Sequence, residues 1–299
     1  MKQYLKNISA DLSASVVVFL VALPLCLGIA LGSGAPVFAG IIAGVVGGVL
    51  VGFLSGSPLS VSGPAAGLTA IVAGAIGKLP SYDVFLVAVV LAGILQIVFG
   101  KLKAGVLGNY IPNAVIKGML AAIGLILILK QLPHLVGFDN DFEGDESFVQ
   151  PDHENTLTEL FSAVQFLSPT ATLLGLLSLT ILLFWQSKWM KKNKSLSGIP
   201  APLIAVLVTV GVHEYIRFAF PAYALESKHL VGLPVAKSFA DFKGFFMFPN
   251  WSALGNPLVW TTAITLAVVA SLETLLGIEA VDKLDPLKRI TPTNRELYA

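Results

Sequence analysis

Glu273 is the one carboxylate deep inside a long apolar run, within ASLETLLGIEA from Ala270 to Ala280. An unpaired charge at bilayer depth costs at least about 2.5 kcal/mol on insertion scales, so an ionisable residue there is functional by default. Protonated, the carboxyl avoids much of that cost and can exchange its proton with a wet cavity; beside a sodium ion it stays ionised instead. Either state can couple an anion's movement to that of a cation. The second chemical element is SGSPLSVSGPAAGLTAIVAGAIG, from Ser55 to Gly77. Small, polar and proline residues alternate as far as about Pro64, and a short apolar helix follows. About 14 helical residues cover roughly 21 Å, well short of the ~30 Å hydrocarbon core. A backbone that enters the bilayer non-helically must be buried by protein or face a wet cavity, and its helix N-terminus offers free N–H groups to an anion. Ser62 and Gly63 stand at the approach, Pro64 suits the first helical turn, and the amides of Ala65, Ala66 and Gly67 are expected to point into the cavity. Ser62 also fits a plain N-cap, and Gly63 and Gly67 fit small-residue helix packing.

The elements that position these groups read as membrane spans. Hydrophobic residues make up 55% of the 299-residue chain and charged residues 12%, with a mean hydropathy of +0.81; soluble domains carry about 25% charge. Eight apolar segments can be placed, at 12–32, 36–54, 64–77, 82–100, 111–130, 169–186, 200–219 and 258–281. The first is too long for a signal-peptide core and is read as a retained span. Lys2 and Lys6, Lys101 and Lys103, Lys188 to Lys194, and Lys283 to Arg289 fall on one side, which the positive-inside rule makes cytoplasmic, together with the N-terminus. The acidic segment of about 131–168 then lies outside, as an irregular, solvated loop or a cation-attracting vestibule. Pro24 is expected to kink the first span and free a carbonyl, and Lys117 in the fifth to snorkel or face a crevice.

Several chemistries are excluded. The net charge is +1, with the basic residues scattered at segment ends, so no nucleic-acid patch forms. Cys26 is the single cysteine and cannot form an internal disulfide. His134, His153, His213 and His229 lack ligand-like spacing, which leaves no metal site beyond a sodium ion at Glu273. Neither a nucleophile motif nor a phosphate loop occurs, so the chain is not read as an enzyme. One internal echo stands out: ALPLCLGIA, from Ala22, matches the Glu273 segment with Pro24 opposite Glu273 and Gly28 opposite Gly277. Either chance similarity between apolar helices or an inverted repeat of seven spans accounts for it.

The runs ADLSASVVVFLVALPLCLGIALGSG, PVFAGIIAGVVGG, GSPLSVSGPAAGLT, IPNAVIKGML and SLETLLGIEAVDKLDPLKRITPTNRELYA resemble the sulfate permease (SulP) family of anion transporters over nearly the whole chain. The resemblance implies an all-α polytopic membrane protein with a seven-plus-seven inverted repeat, of which this chain holds the first seven spans and span 8, with a half-helix at span 3. It assigns 1–104 to core spans 1–4, 105–222 to gate spans 5–7, 223–257 to an extracellular connection, and 258–299 to span 8 and a cytoplasmic segment. Spans 9–14 and the C-terminal cytoplasmic domain are absent from the sequence, so a fragment is expected. The implied activity is secondary active transport of sulfate, bicarbonate or dicarboxylates by alternating access, in the bacterial inner membrane, as a homodimer when full length. Substrate would meet Pro24, Leu25, Ser62, Gly63, Pro64, Ala65, Ala66, Gly67 and Thr274, and Glu273 would carry the coupling. Where relatives place a Thr after the half-helix proline this chain has Ala65, a hydroxyl position after Glu273 is Gly277, and Leu25 replaces a Gln; these losses leave Na⁺ and H⁺ both open as the coupling ion. A nucleobase–cation symporter of the same fold, an anion channel or motor, and an inactive fragment are the alternatives.

Overall fold

The computed structural model describes residues 8–110, 112–138, 155–165, 167–188, 190, 199–225 and 235–299, and among them every regular element is helical. In chain order these are α1 (Ile8–Gly32), α2 (Val37–Leu54), α3 (Ala66–Lys78), α4 (Tyr82–Lys101), α5 (Asn113–Leu135), α6 (Thr156–Gln165), α7 (Pro169–Trp185), α8 (Ala201–Ala219), α9 (Phe239–Gly244), α10 (Pro257–Leu284) and α11 (Thr293–Tyr298). Each of the eight expected apolar segments is a helix. Five of them, in α1, α2, α4, α8 and α10, are long and apolar enough to cross a membrane. α3 is the short one, a three-residue 3-10 turn followed by ten α-helical residues, about 20 Å in all. α7 has 17 residues and α5 has 23.

The chain divides into two compact units. Of the described residues, one gathers 8–24 with 127–138 and those between 155 and 225; the other comprises those between 25 and 126 and 235–299. In the second unit, α4 and α10 pack through Ala88 and Ala92 on one helix and Ala263 and Ala267 on the other, all buried among Val87, Phe85, Val259 and Leu266. Alanine pairs four residues apart present a flat stripe, so two backbones approach closely where lipid supplies no hydrophobic drive. Ala75 and Leu79 of α3 join the same core. Asn256 starts α10 by accepting from the Leu258 amide at 3.0 Å, with Pro257 in the first turn. α2 packs on α1 by glycine: a Cβ on Gly40 would lie 2.1 Å from the Cys26 carbonyl oxygen, and one on Gly44 2.8 Å from the Cys26 sulfur.

The first unit corrects the reading of 131–168 as irregular and solvated. α5 continues through Pro133 to Leu135, and α6 occupies Thr156–Gln165, while 139–154 lie outside the described residues. Thr156, Glu159 and Ala163, spaced three and four apart, form the buried face of α6. Glu159 is only 2% exposed, with Lys130 Nζ of α5 at 3.4 Å. The carboxylate that looked like a solvated loop charge is buried because a lysine at the end of the fifth span meets it. α7 starts on Ser168, which accepts from the Ala171 amide, and Thr170 Oγ1 donates to Tyr223 O at 2.6 Å. Lys117 is exposed on α5. His213 lies inside α8 and is buried. The helix α1 continues across Pro24 without ending there.

Candidate functional site

The path from α2 to α3 decides the geometry. α2 contains a π-helical turn at Val46–Val51, closes at Leu54, and the chain then runs without regular structure to Ala65, which is extended at φ −101° and ψ 119°. α3 opens at Ala66, two residues later than Pro64, so Pro64 is not in the first helical turn. The flanking residue is Ala65, with no side-chain capping bond, and the N-cap reading of Ser62 does not hold. Proline at 64 favours extended backbone in the residue before it, and the turn then forms only after Ala65. The first amide bonded within this turn is that of Leu68, to Ala65 O at 3.1 Å. The amides of Ala66 and Gly67 precede it and have no acceptor in the turn, leaving two donors at the mouth of a helix too short to span.

Glu273 comes to this mouth. A Cβ built on Gly67 would sit 2.8 Å from Glu273 Oε1 and 3.4 Å from its Cδ, so the carboxylate lies against the bare backbone of the first turn. Glu273 is sixteen residues into α10, about 24 Å along the helix from Pro257 and well inside its apolar length. Glycine at 67 is required for this approach, whereas a Cβ on Gly63 would meet nothing within 4 Å, so close packing explains the first glycine and not the second. Glu273 and Thr274 are half-buried, as are Pro64, Ala65 and Ala66; Ser62, Gly63 and Gly67 are exposed. Pro24 and Leu25 are half-buried; Pro24 closes its part of the first unit and Leu25 opens the second. Gly277 is exposed with open space around it.

Three features escaped the sequence reading. Gly47 is the first: a Cβ there would lie 2.5 Å from Ser62 O, so the loop crosses α2 directly over this glycine. Gly40, Gly44 and Gly47 recur at four and three residues, one helix face, and that spacing was a readable signal for a backbone laid against it. The other two are buried hydroxyls with no hydrogen-bond partner, Thr69 Oγ1 and Ser271 Oγ. Each lies two residues, about 200° of helix, from Gly67 or Glu273, so they face away from the pair. Leu275, one turn beyond Ser271, packs near Gly108 instead. Between α3 and α10 a cavity of about 350 Å³ is lined by Lys78, Gly74, Thr261, Thr262 and Thr265. Thr261 and Thr265 spend their hydroxyl protons on the carbonyls of Leu258 and Thr261, so they offer acceptors rather than donors there. Among the described residues no group of three His, Cys, Asp or Glu could hold a metal ion.

Known proteins share this arrangement of helices. The sulfate permease family model matches residues 8–299. Bicarbonate transporter BicA of Synechocystis sp. is 31% identical over 142 residues, 46% of this chain and 24% of the relative. YvdB of Bacillus subtilis, provisionally named a sulfate transporter, is 26% identical over 245 residues, 81% of this chain and 41% of the relative. The solved transmembrane domain of a cyanobacterium bicarbonate transporter BicA superposes with a TM-score of 0.60 at 26% identity, covering 98% of this chain and 69% of that one. The chain therefore spans between a quarter and about two fifths of the length of these curated relatives. These relatives are transporters and not enzymes. With a family match from Ile8 to the last residue and an all-helical fold that follows a solved member, this chain belongs to the sulfate permease family, membrane proteins of several spans.

Proposed function

We propose that this chain forms the anion-handling part of a secondary transporter for small oxyanions, sulfate or bicarbonate, or for dicarboxylates. The observation that carries the reading is the meeting of Glu273 with Gly67 at the open end of α3. Two amides there that precede the first bond of the turn suit an anion's oxygens, and an ionised carboxylate a few ångströms away works against that anion. Binding of the anion and neutralisation of Glu273 are then linked, and that linkage is symport by H⁺ or Na⁺. The lack of side-chain oxygens at Ala65 and Gly277 leaves fewer hard ligands for sodium beside Glu273. The names of the relatives, sulfate and bicarbonate transporters, support the substrate class.

Movement between inward- and outward-open states belongs to the same proposal, with an inverted seven-plus-seven repeat, a cytoplasmic N-terminus in the bacterial cell membrane and a homodimeric full-length protein. The C-terminal residues of α2 and α4 meet the segment after α10 in one place, which puts the Lys101–Lys103 and Lys283–Arg289 clusters at one end of this unit, in keeping with that orientation. Glu273→Gln in the full-length protein, reconstituted in liposomes, is the test. Gln mimics the neutral carboxyl, so insertion is retained while accumulation of labelled sulfate or bicarbonate driven by a Na⁺ or H⁺ gradient is lost. Full gradient-driven accumulation by this variant would remove Glu273 from coupling.

A further inference from the structure

The PTNRELYA segment that ends the chain performs a task that neither the anion site nor the packing of α4 on α10 uses. Glu296 accepts from Ser55 Oγ at 2.8 Å through Oε2, and its Oε1 takes the backbone amides of Gly56 and of Ser57, the latter at 3.1 Å. Its neighbour Arg295 donates through Nε to Leu54 O, the carbonyl that ends α2, at 2.6 Å. Arg295 and Glu296 thus read consecutive backbone groups: a carbonyl left over by the helix, then the amides that follow it. Asn294 Oδ1 accepts from the Gly105 amide at 2.9 Å, tying the segment to the end of α4 as well. Close approach is enforced by glycine: a Cβ on Gly56 would lie 2.6 Å from Pro292 Cγ, and one on Gly100 2.8 Å from a ring carbon of Tyr298. Asp282, at the end of α10, turns the chain back by accepting from Thr291 N at 2.7 Å and Thr291 Oγ1 at 2.6 Å.

The stretch 55–67 is therefore held at both ends by carboxylates of one later segment, Glu296 at Ser55–Ser57 and Glu273 at Gly67, and rests midway on Gly47. We propose that Glu296 is a positioning residue for the anion site: by fixing where the chain leaves α2, it sets the path to Ala66 and holds the mouth of α3 against Glu273. This rests on the proposed reading of that mouth as the anion site. Among the described residues, the start of this eleven-residue backbone excursion is anchored by two charged neighbours, Arg295 on the Leu54 carbonyl and Glu296 on Ser55–Ser57, and only Glu296 holds the groups that lie within it. Removing the carboxylate releases the Ser55 hydroxyl and the Gly56 amide, while the Ser57 amide keeps Ser55 Oγ as an acceptor at 3.0 Å.

The test compares wild type with Glu296→Ala, Glu296→Gln and, as a control in the other unit, Glu214→Ala, which breaks an exposed pair with Arg217 and a longer contact to His213. Hydrogen exchange in peptides covering 55–65 reads the anchor; maleimide labelling of Ala66→Cys, with Cys26 replaced by Ser, reads the helix mouth; uptake of labelled sulfate and bicarbonate reads the site. Glu296→Ala should speed exchange at 56 at least about tenfold, change the labelling rate at 66, and raise KM severalfold with the maximal rate nearly kept. Glu296→Gln keeps one acceptor oxygen and should fall between. Unchanged exchange, or faster exchange with unchanged labelling at 66, overturns the proposal, as does a loss of maximal rate with KM intact. If wild type moves neither anion under any gradient, the transporter reading fails, and the exchange and labelling arms still decide whether Glu296 positions the helix mouth.

Discussion

Replacing Gly67 by Ala puts a single methyl where the structure leaves none. The new Cβ would lie 2.8 Å from Glu273 Oε1, about 0.7 Å inside an ordinary non-bonded contact. Backbone does not block it, because the nearest atoms all belong to the far end of the glutamate, so the carboxylate swings aside rather than the helix. A side-chain torsion driven about 30° from its well costs roughly 0.5–1.5 kcal/mol. Alanine in a helix returns roughly 0.5–1 kcal/mol relative to glycine. The two nearly cancel, and the variant should unfold within about 1 kcal/mol of wild type. Function should not cancel. A carboxylate displaced from the amides of Ala66 and Gly67 loses its linkage to the anion, and 1.4 kcal/mol of that linkage is worth about tenfold in affinity. Uptake of labelled sulfate and bicarbonate by full-length protein in liposomes, over a series of pH and Na⁺ concentrations, should show KM raised about tenfold and a flatter dependence on the coupling ion. Wild-type KM and an unaltered dependence on both ions would refute the reasoning, since the methyl cannot avoid Glu273 if the pair is where the structure has it.

Further expectations separate the loop path, the buried ion pair and the chain reversal after α10. Gly47→Ala and Gly48→Ala are adjacent and chemically identical, yet a Cβ at 47 meets Ser62 backbone and one at 48 meets nothing, so thermal unfolding should show a loss of about 1–3 kcal/mol for the first and none for the second. Lys130→Met deprives Glu159 of its buried ammonium and should cost about 3–5 kcal/mol, much of it recovered in Lys130→Met/Glu159→Leu; equal losses in the single and double variants would argue against the pairing. Asp285 is held down to about 2 from an ordinary 3.8, chiefly by its hydrogen bond from Arg289 and further by the amides of Leu287 and Arg289. A depressed carboxyl stabilises above its unfolded value, so protease resistance of 285–291 should be full above about pH 4 and fade as pH falls toward 2. Fading that began near neutrality would contradict that assignment.

What the amino-acid sequence revealed and what it concealed follow from the kind of signal each residue sends. Lipid contact requires apolar side chains in runs, so all eight helical segments were legible, as was the helix too short to span. Glu273 was legible by cost alone, because an ionisable group in an apolar run has few innocent explanations. Its partner was not, since a glycine carries no side chain to advertise what it touches; Gly67 looks the same whether it packs on lipid, helix or carboxylate. The start of α3 was misread by two residues because Pro64 is compatible both with a first turn and with the extended backbone before one, and only the bond from Leu68 N to Ala65 O decides between them. Glu159 was misread because its sequence neighbours are polar, although its contact is a lysine 29 residues earlier. Glu296 stood in plain view within a family signature, but its meaning lies in the backbone of Leu54–Ser57, some 240 residues away. Backbone amides are the same in every sequence, so a carboxylate that reads them leaves no complementary residue to find. On the proposed reading, that same anonymity is what an anion would meet at Ala66 and Gly67. Substrate choice at such a mouth depends on how accurately the chain path is held, and that is why the residues holding it, Gly47, Glu273 and Glu296, are the ones whose substitution should be felt in transport.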